Sequence, residues 1–409
     1  MTGALEPRLA TDDDFELRGR LVAGAFLGDT EQTDTEQFRL IDEPERTHLI
    51  TDEGVAVAAG GALTRELSVP GAQIPAAHVT AVAVAATHRR RGLLTSIMTA
   101  QLRSVRDHGT EPLAVLWASE GAIYGRYGYG LASWHSGYDV AVRETSVPGE
   151  LAPGTRLREA VPRECTERLA EVFDRVRARR PGLSSRPGRW WEYLTADPSS
   201  SRRGLSVERA VLYEVDGRPE GYVRYRTRSG RNDTGPDGEV VVTELVAETP
   251  AAHEALWRFL LSIDLVRTVR YPFAAVDDPL PYLVTNPHGL GVTAGPGLWV
   301  RPVDVPAALA ARRYLVPVDA VLEVTDARLP ENAGRWRLVG DPASATCTPT
   351  DSEPDVTLDV RELGSLYLGG VRLSSLIEAG LVRERTHGAS DRLCTAFGWR
   401  HAPAAMEVF

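Results

Sequence analysis

The chain has 409 residues, 43% of them hydrophobic and 25% charged, the composition of an ordinary soluble globular protein with two or three domains. Its 46 basic residues against 56 acidic ones leave a net charge of −10, and every basic residue is arginine. Without lysine there is no Walker phosphate loop, no Schiff-base lysine and no pyridoxal anchor. The acidic balance argues against a nucleic-acid scaffold and suits a cationic small-molecule substrate.

The first block of the chain runs to about residue 150. Thr11, followed by three aspartates, reads as a helix N-cap, and Phe15, Leu21, Val22 and Ala25 continue an apolar stripe. Strands are predicted at 47–52, 55–63 and 78–85, a helix from 90 carrying Leu94, Ile97, Met98, Leu102 and Val105, and a buried strand at 113–117. A short helix near Ile123 and a strand pair over 131–142 close the block. Residues 68–87 lack Asp, Glu and Arg, but Pro70, Gln73, Pro75 and His78 interrupt them, so no membrane span is expected.

After a Pro/Gly linker the second block, 151–297, repeats the order: a helix with Leu169, Val172, Phe173 and Val176, strands at 210–215, 221–225 and 240–247, and a helix at 250–265. The third block, 298–409, has strands first (320–324, 336–339, 355–358) and helices after, an α+β pattern. Cys165, Cys347 and Cys394 form neither a disulfide framework nor a CxxC pair, and the N-terminus lacks an apolar signal run, so a cytoplasmic location is expected. The histidines form no HxxH or HxxxH pair, so no metal is expected.

The chemistry concentrates where a valine-rich strand (Val82, Ala83, Val84) gives way to His88, Arg89, Arg90, Arg91 and Gly92, and then to a helix starting at Leu93, Leu94 and Thr95. A helix start offers free N–H groups to phosphate, glycine permits close approach, and the strand end can pair with an extended amide chain. These parts suit coenzyme A. The second block echoes the strand at Val246 and Ala247 but continues with Glu248, Thr249 and Pro250, and Glu254 stands where Gly92 stood, so it reads as a copy that has lost the cofactor. Tyr124 follows the next strand on a short helix. Its phenol, ordinarily near pKa 10, can protonate a departing thiolate, whereas Tyr127 and Tyr129 read as packing.

Together with Ser119-Glu120-Gly121, Asp278-Pro279-Leu280-Pro281, Cys347-Thr348-Pro349-Thr350 and 363–369, these motifs make nearly the whole chain resemble the enhanced intracellular survival (Eis) acetyltransferases of the GNAT superfamily. The resemblance implies a mixed α/β, α+β architecture of two tandem GNAT domains, the second degenerate, followed by a sterol-carrier-like domain. It also implies a homohexamer and acetyl transfer from acetyl-CoA to aminoglycoside-like amines. By match, Tyr124 becomes the general acid and the free carboxylate of Phe409 the general base. Cofactor contacts fall on Val82 to Val84, Arg89 to Thr95, Ser119 and Glu120, and substrate contacts on Asp29, Phe38 and Glu407. An aromatic position of the family is Ala81 here. The rival readings are an acyltransferase for another amine or a longer acyl chain, and a non-catalytic carrier module.

Overall fold

In the computed structural model, which describes residues 5–28 and 35–409, two seven-stranded sheets repeat one strand order and a five-stranded sheet follows. The first sheet runs Arg8–Leu9, His48–Asp52, Val55–Val69, Ala72–Val84, Leu113–Trp117, Leu298–Pro302, Gly130–Leu131. The second runs Thr155–Ala160, Arg209–Val215, Arg218–Arg228, Gly238–Ala247, Val266–Ala275, Trp134–Ala141, Thr293–Pro296. In each, a helix joins the parallel fourth and fifth strands, Leu93–His108 in the first and Pro250–Leu261 in the second. Leu113–Trp117 has no polar residue, as a strand covered on both faces should.

The contiguous division at 1–150, 151–297 and 298–409 meets one exchange. Trp134–Ala141, from the first block, is the sixth strand of the second sheet, and Leu298–Pro302, from the start of the third, is the sixth strand of the first. The two crossing segments touch: the Gly297 N–H donates to the Ser133 carbonyl (2.9 Å) and the Leu298 N–H to Ser133 Oγ (2.8 Å). A Cβ on Gly297 would stand 2.6 Å from that hydroxyl oxygen, so only glycine lets the strands cross here.

The hairpin Val55–Val69/Ala72–Val84 is longer than predicted on its turn side. Pro70 and Gly71, expected as interruptions, form its tight turn, with Gly71 at φ +71°. Its far half is paired from outside by residues 182–185, where the Ser68 and Ser185 N–H groups donate to the Leu183 and Glu66 carbonyls (both 2.8 Å). That partner is remote in sequence.

The third unit has the sheet order Ala345–Pro349, Gly334–Gly340, Val318–Thr325, Val356–Asp359, Val382–Glu384. Its helix Val305–Ala311 precedes every strand, so the expected order of strands before helices is corrected. Helix Val360–Leu366 lies against the first sheet, where a Cβ on Gly364 would come within 2.2 Å of the Val300 carbonyl oxygen. Beside it Arg301, fully buried, is held by both carboxylate oxygens of Asp326 (2.7 and 2.9 Å). No helix among the described residues is long and apolar enough to cross a membrane, and none of their His, Cys, Asp and Glu side chains group to hold a metal.

Candidate functional site

Strands Ala72–Val84 and Leu113–Trp117 pair only over Ala76–His78 and Leu113–Val115, then diverge. From Val79 onward the edge of the fourth strand is free on that side. A bulge interrupts its other edge, where the register shifts opposite Gly60 and Ala81 adopts φ +52°. A non-glycine residue in that region is strained, and such strain gathers where backbone groups are re-aimed at a ligand. Val82 faces the opening, and Ala83 is buried in the sheet.

Beyond the strand end the loop turns through Arg90 (φ +62°) and Gly92 (φ +83°) into helix Leu93–His108. Gly92 is the N-cap and no side chain caps the helix, so its first N–H groups are free, and a Cβ on Gly92 would meet nothing within 4 Å. Arg89, Arg90 and Arg91 are exposed and form no ion pair with any described residue. Free N–H groups and guanidinium groups together offer the chemistry that an anion such as a diphosphate needs. His88 flanks the loop, bonded to Asp52 (3.0 Å) and Thr87 (2.8 Å). Thr95 Oγ1 lies 3.2 Å from the Tyr127 hydroxyl, and the Leu93 side chain belongs to the core beside Ile50 and Ile97. At these two positions the backbone, not the side chain, remains for a ligand.

Tyr124 ends the short helix Gly121–Tyr124 and is packed edge-on to Tyr129 (6.1 Å between rings). Burial, with Tyr127 and Glu120 adding to it, pushes its phenol up to about 12, so it holds its proton at neutral pH. Tyr127 and Tyr129 are core residues, as the sequence implied. Ser119 lines the opening, and Glu120 is exposed at the N-cap of the short helix.

The chain end is docked. The Ala404 N–H donates to the Pro181 carbonyl (2.9 Å), and the Ala402 N–H to Asp277 (2.9 Å). The Phe409 ring rests on His78 (4.8 Å between centroids). His78 is fully buried, its Nδ1–H donating to the Ala76 carbonyl (2.8 Å) and its Nε2 accepting from the Ser184 hydroxyl (2.7 Å). Burial holds it neutral, its pKa well below the ordinary value. The terminal carboxylate of Phe409 forms no ion pair with a described residue.

Glu407 does not face substrate space, which corrects the expected contact. Its carboxylate is held by Arg65 and by Arg186 (2.8 and 2.9 Å), and Arg186 also pairs with the buried Glu244. Burial pushes the Glu407 carboxyl up, but the two guanidinium groups outweigh it and hold it below the ordinary range. Trp190 and Trp191 cover these arginines: Arg65 lies 3.8 Å over Trp190 and Arg186 4.7 Å over Trp191. This clamp joins the first sheet, the second unit and the tail, and no local signal could have revealed it.

The strand opening, Tyr124 and the chain end at Phe409 border one cavity of about 880 Å³. Val79–Val82 and Leu116–Ser119 line it from the two arms of the opening, with Tyr124 and Phe409. Phe15, Arg18 and Val22 come from the first helix, Phe15–Ala25, with Phe26 just beyond its end, and Tyr193, Phe273 and Pro296 from the second unit. Phe38 lines it as expected; Asp29 lies outside the described residues. Among the described lining residues the one charged side chain is Arg18, paired with Asp42 at 2.6 Å.

Family models for an acetyltransferase (GNAT) domain match residues 6–132 and 182–302, and one for a sterol carrier protein domain matches 305–406. An uncharacterized N-acetyltransferase of Streptomyces avermitilis is 43% identical over 97% of each chain. The N-acetyltransferase Eis of Mycobacterium tuberculosis is 37% identical over 86% of this chain and 88% of that one. The crystal structure of Eis1 from Mycobacterium abscessus superposes with a TM-score of 0.83 at 31% identity, covering 99% of this chain and 100% of the other. With an uncapped, arginine-flanked helix start beside a splayed strand pair, and with relatives matched over most of its length, the chain belongs to the Eis-type N-acetyltransferases of the GNAT superfamily.

Proposed function

We propose that the chain moves acetyl from acetyl-CoA to a primary amine. One observation carries the reading: both arms of the strand opening, Tyr124 and the C-terminal Phe409 border a single cavity. Arg89 to Arg91 and the free N–H groups from Gly92 to Thr95 hold the diphosphate, and the open edge at Val82–Val84 receives the pantetheine amides, with Ser119 and Glu120 beside it. Backbone N–H groups at the Ala81 bulge polarise the thioester carbonyl.

Acetyl-CoA supplies the acyl group: a C–N bond forms at its carbonyl and the C–S bond breaks. The carboxylate of Phe409 attracts the ammonium and accepts its proton, directly or through a water. As an α-carboxylate of ordinary pKa about 3.5 it is a weak base, so holding the cation is part of its work. Tyr124 acts as general acid by directing its O–H to the departing sulfur; because the thiol's ordinary pKa of about 8.5 lies below that of the buried phenol, full proton transfer is uphill and the hydrogen bond to the developing thiolate carries much of the stabilisation. The homohexamer implied by the family resemblance belongs to the same proposal, and sedimentation of the purified chain reads it.

The test is thiol release from acetyl-CoA with a primary amine, for the native chain and for one extended past Phe409 by a short Gly-Ser tag. The tagged enzyme should lose most of its kcat while binding acetyl-CoA normally. A fully active tagged enzyme would remove Phe409 from the mechanism.

A further inference from the structure

The second unit holds the tail at several points. The Ala402 carbonyl accepts from Arg180 (2.8 Å), the Ala404 N–H donates to the Pro181 carbonyl (2.9 Å), and the Glu407 carboxylate accepts from Arg186 (2.9 Å). From the first unit Arg65 grips the same carboxylate, and among the described residues Arg65 pairs with no other. Its Nε donates to the Ser185 carbonyl (2.6 Å), while its buried Nη1 has no hydrogen-bond partner. Arg186 is shared with Glu244 (3.2 Å), which also accepts from the Tyr222 hydroxyl (2.7 Å). Arg65, Arg186 and Glu244 are all buried. Taking such charges out of water is costly, and apolar side chains of similar size often stabilise as well or better. What the ion pairs add is a fixed geometry, and the chain ends two residues past Glu407.

We propose that Glu407 is a positioning residue: gripped by Arg65 and Arg186, it fixes where the Phe409 carboxylate stands and keeps the two guanidinium groups from drawing that carboxylate away. This rests on the reading of the terminal carboxylate as the group that receives the ammonium and its proton. Two residues span at most about 7 Å, so an anchored Glu407 confines an end that in a free tail would fray. The Phe409 ring, set on His78 at 4.8 Å, gives the second hold, and Arg65 lies 5.9 Å from the same ring. Without the charge of Glu407, Arg65 would have an unpartnered N–H to offer to a carboxylate two residues away. A terminal carboxylate paired with a guanidinium is a poorer base and no longer a free partner for an ammonium. The second unit thereby serves the site in the first by seating the chain end.

The experiment is a double-mutant cycle on kcat, read by thiol release from acetyl-CoA with whichever of phenylethylamine, spermidine and kanamycin the native chain acetylates fastest. Its four members are the native chain, Glu407→Gln, the chain extended past Phe409 by the Gly-Ser tag, and both changes together. Glu407→Gln should lower kcat about 10- to 100-fold in the native-ended chain, as a misplaced reacting group does, with the calorimetric affinity for acetyl-CoA unchanged. In the tagged chain, where Phe409 has no carboxylate left to position, the same substitution should cost less than about twofold. Glu407→Asp keeps the charge on a shorter arm. It should lose less than Glu407→Gln and lose nothing further in the tagged chain, so the cycle reads even where circular dichroism finds Glu407→Gln unfolded. Equal losses in both backgrounds would make Glu407 a structural anchor only and overturn the inference, as would a fully active Glu407→Gln. A tag that leaves kcat unchanged, or no thiol release with any of the three amines, would bring down the reading on which the inference rests, and the inference with it.

Discussion

The helices Leu93–His108 and Pro250–Leu261 hold the same place in their sheets, yet they begin differently. The first starts on Gly92 with no side-chain cap, after three arginines that form no ion pair with a described residue. The second starts on Thr249, whose hydroxyl accepts from the Ala252 N–H (3.3 Å), and on Pro250, which has no N–H to offer. Glu248, just before it, is held by Arg175 (2.6 Å) and Arg218 (3.0 Å). The strands splay in both units, since Gly238–Ala247 pairs with Val266–Ala275 only through Val241. In the second, however, the buried Tyr271 reaches the Leu245 backbone across the gap. Counting from the strand ends, Tyr282 stands where Tyr124 does, but it is 90% exposed and Tyr124 only 6%. One fold thus gives an open anion site or a sealed helix start, according to what satisfies the first N–H groups.

Blocking the open helix start should have the largest effect. Gly92→Glu puts a carboxylate where phosphate oxygens belong and a side chain at φ +83°. Acetyl-CoA binding should vanish in calorimetry while circular dichroism stays native, since the new Cβ meets no neighbour. Tyr124→Phe, removing the hydroxyl that the second unit lacks at its site, should lower kcat by about 10²–10⁴ with little change in the KM for acetyl-CoA. In the native enzyme the same group sets a pH limb. The acid must be protonated and its pKa is raised to about 12, so activity should not fall near 10, where an exposed phenol would ionise. The smallest effect belongs to Thr249→Ala. Losing that cap should cost about 1 kcal/mol in chemical denaturation and leave acetyl-CoA binding untouched.

The contrast between the two helix starts was legible in the sequence, because it depends on a handful of adjacent residues, three arginines against Thr249 and Pro250. The expected pairing of Gly92 with Glu254 is corrected, since Thr249 holds the N-cap position of Gly92 and Glu254 lies a turn into the helix. The strand exchange was not legible. Trp134–Ala141 and Leu298–Pro302 carry ordinary strand patterns, and a pattern does not say which sheet will take it. Glu407 was misassigned because its partners Arg65 and Arg186 lie 342 and 221 residues away. The apolar character of the described cavity lining was hidden too. Net charge describes the whole surface, while these walls are assembled from the first helix, both strand arms, the second unit and the tail.

The most direct measurement is a calorimetric titration of the purified chain with acetyl-CoA, read for stoichiometry. One site per chain, lost in Gly92→Glu and kept in Thr249→Ala, is what the open and sealed helix starts predict. Two sites per chain, or one that survives Gly92→Glu, would contradict the account.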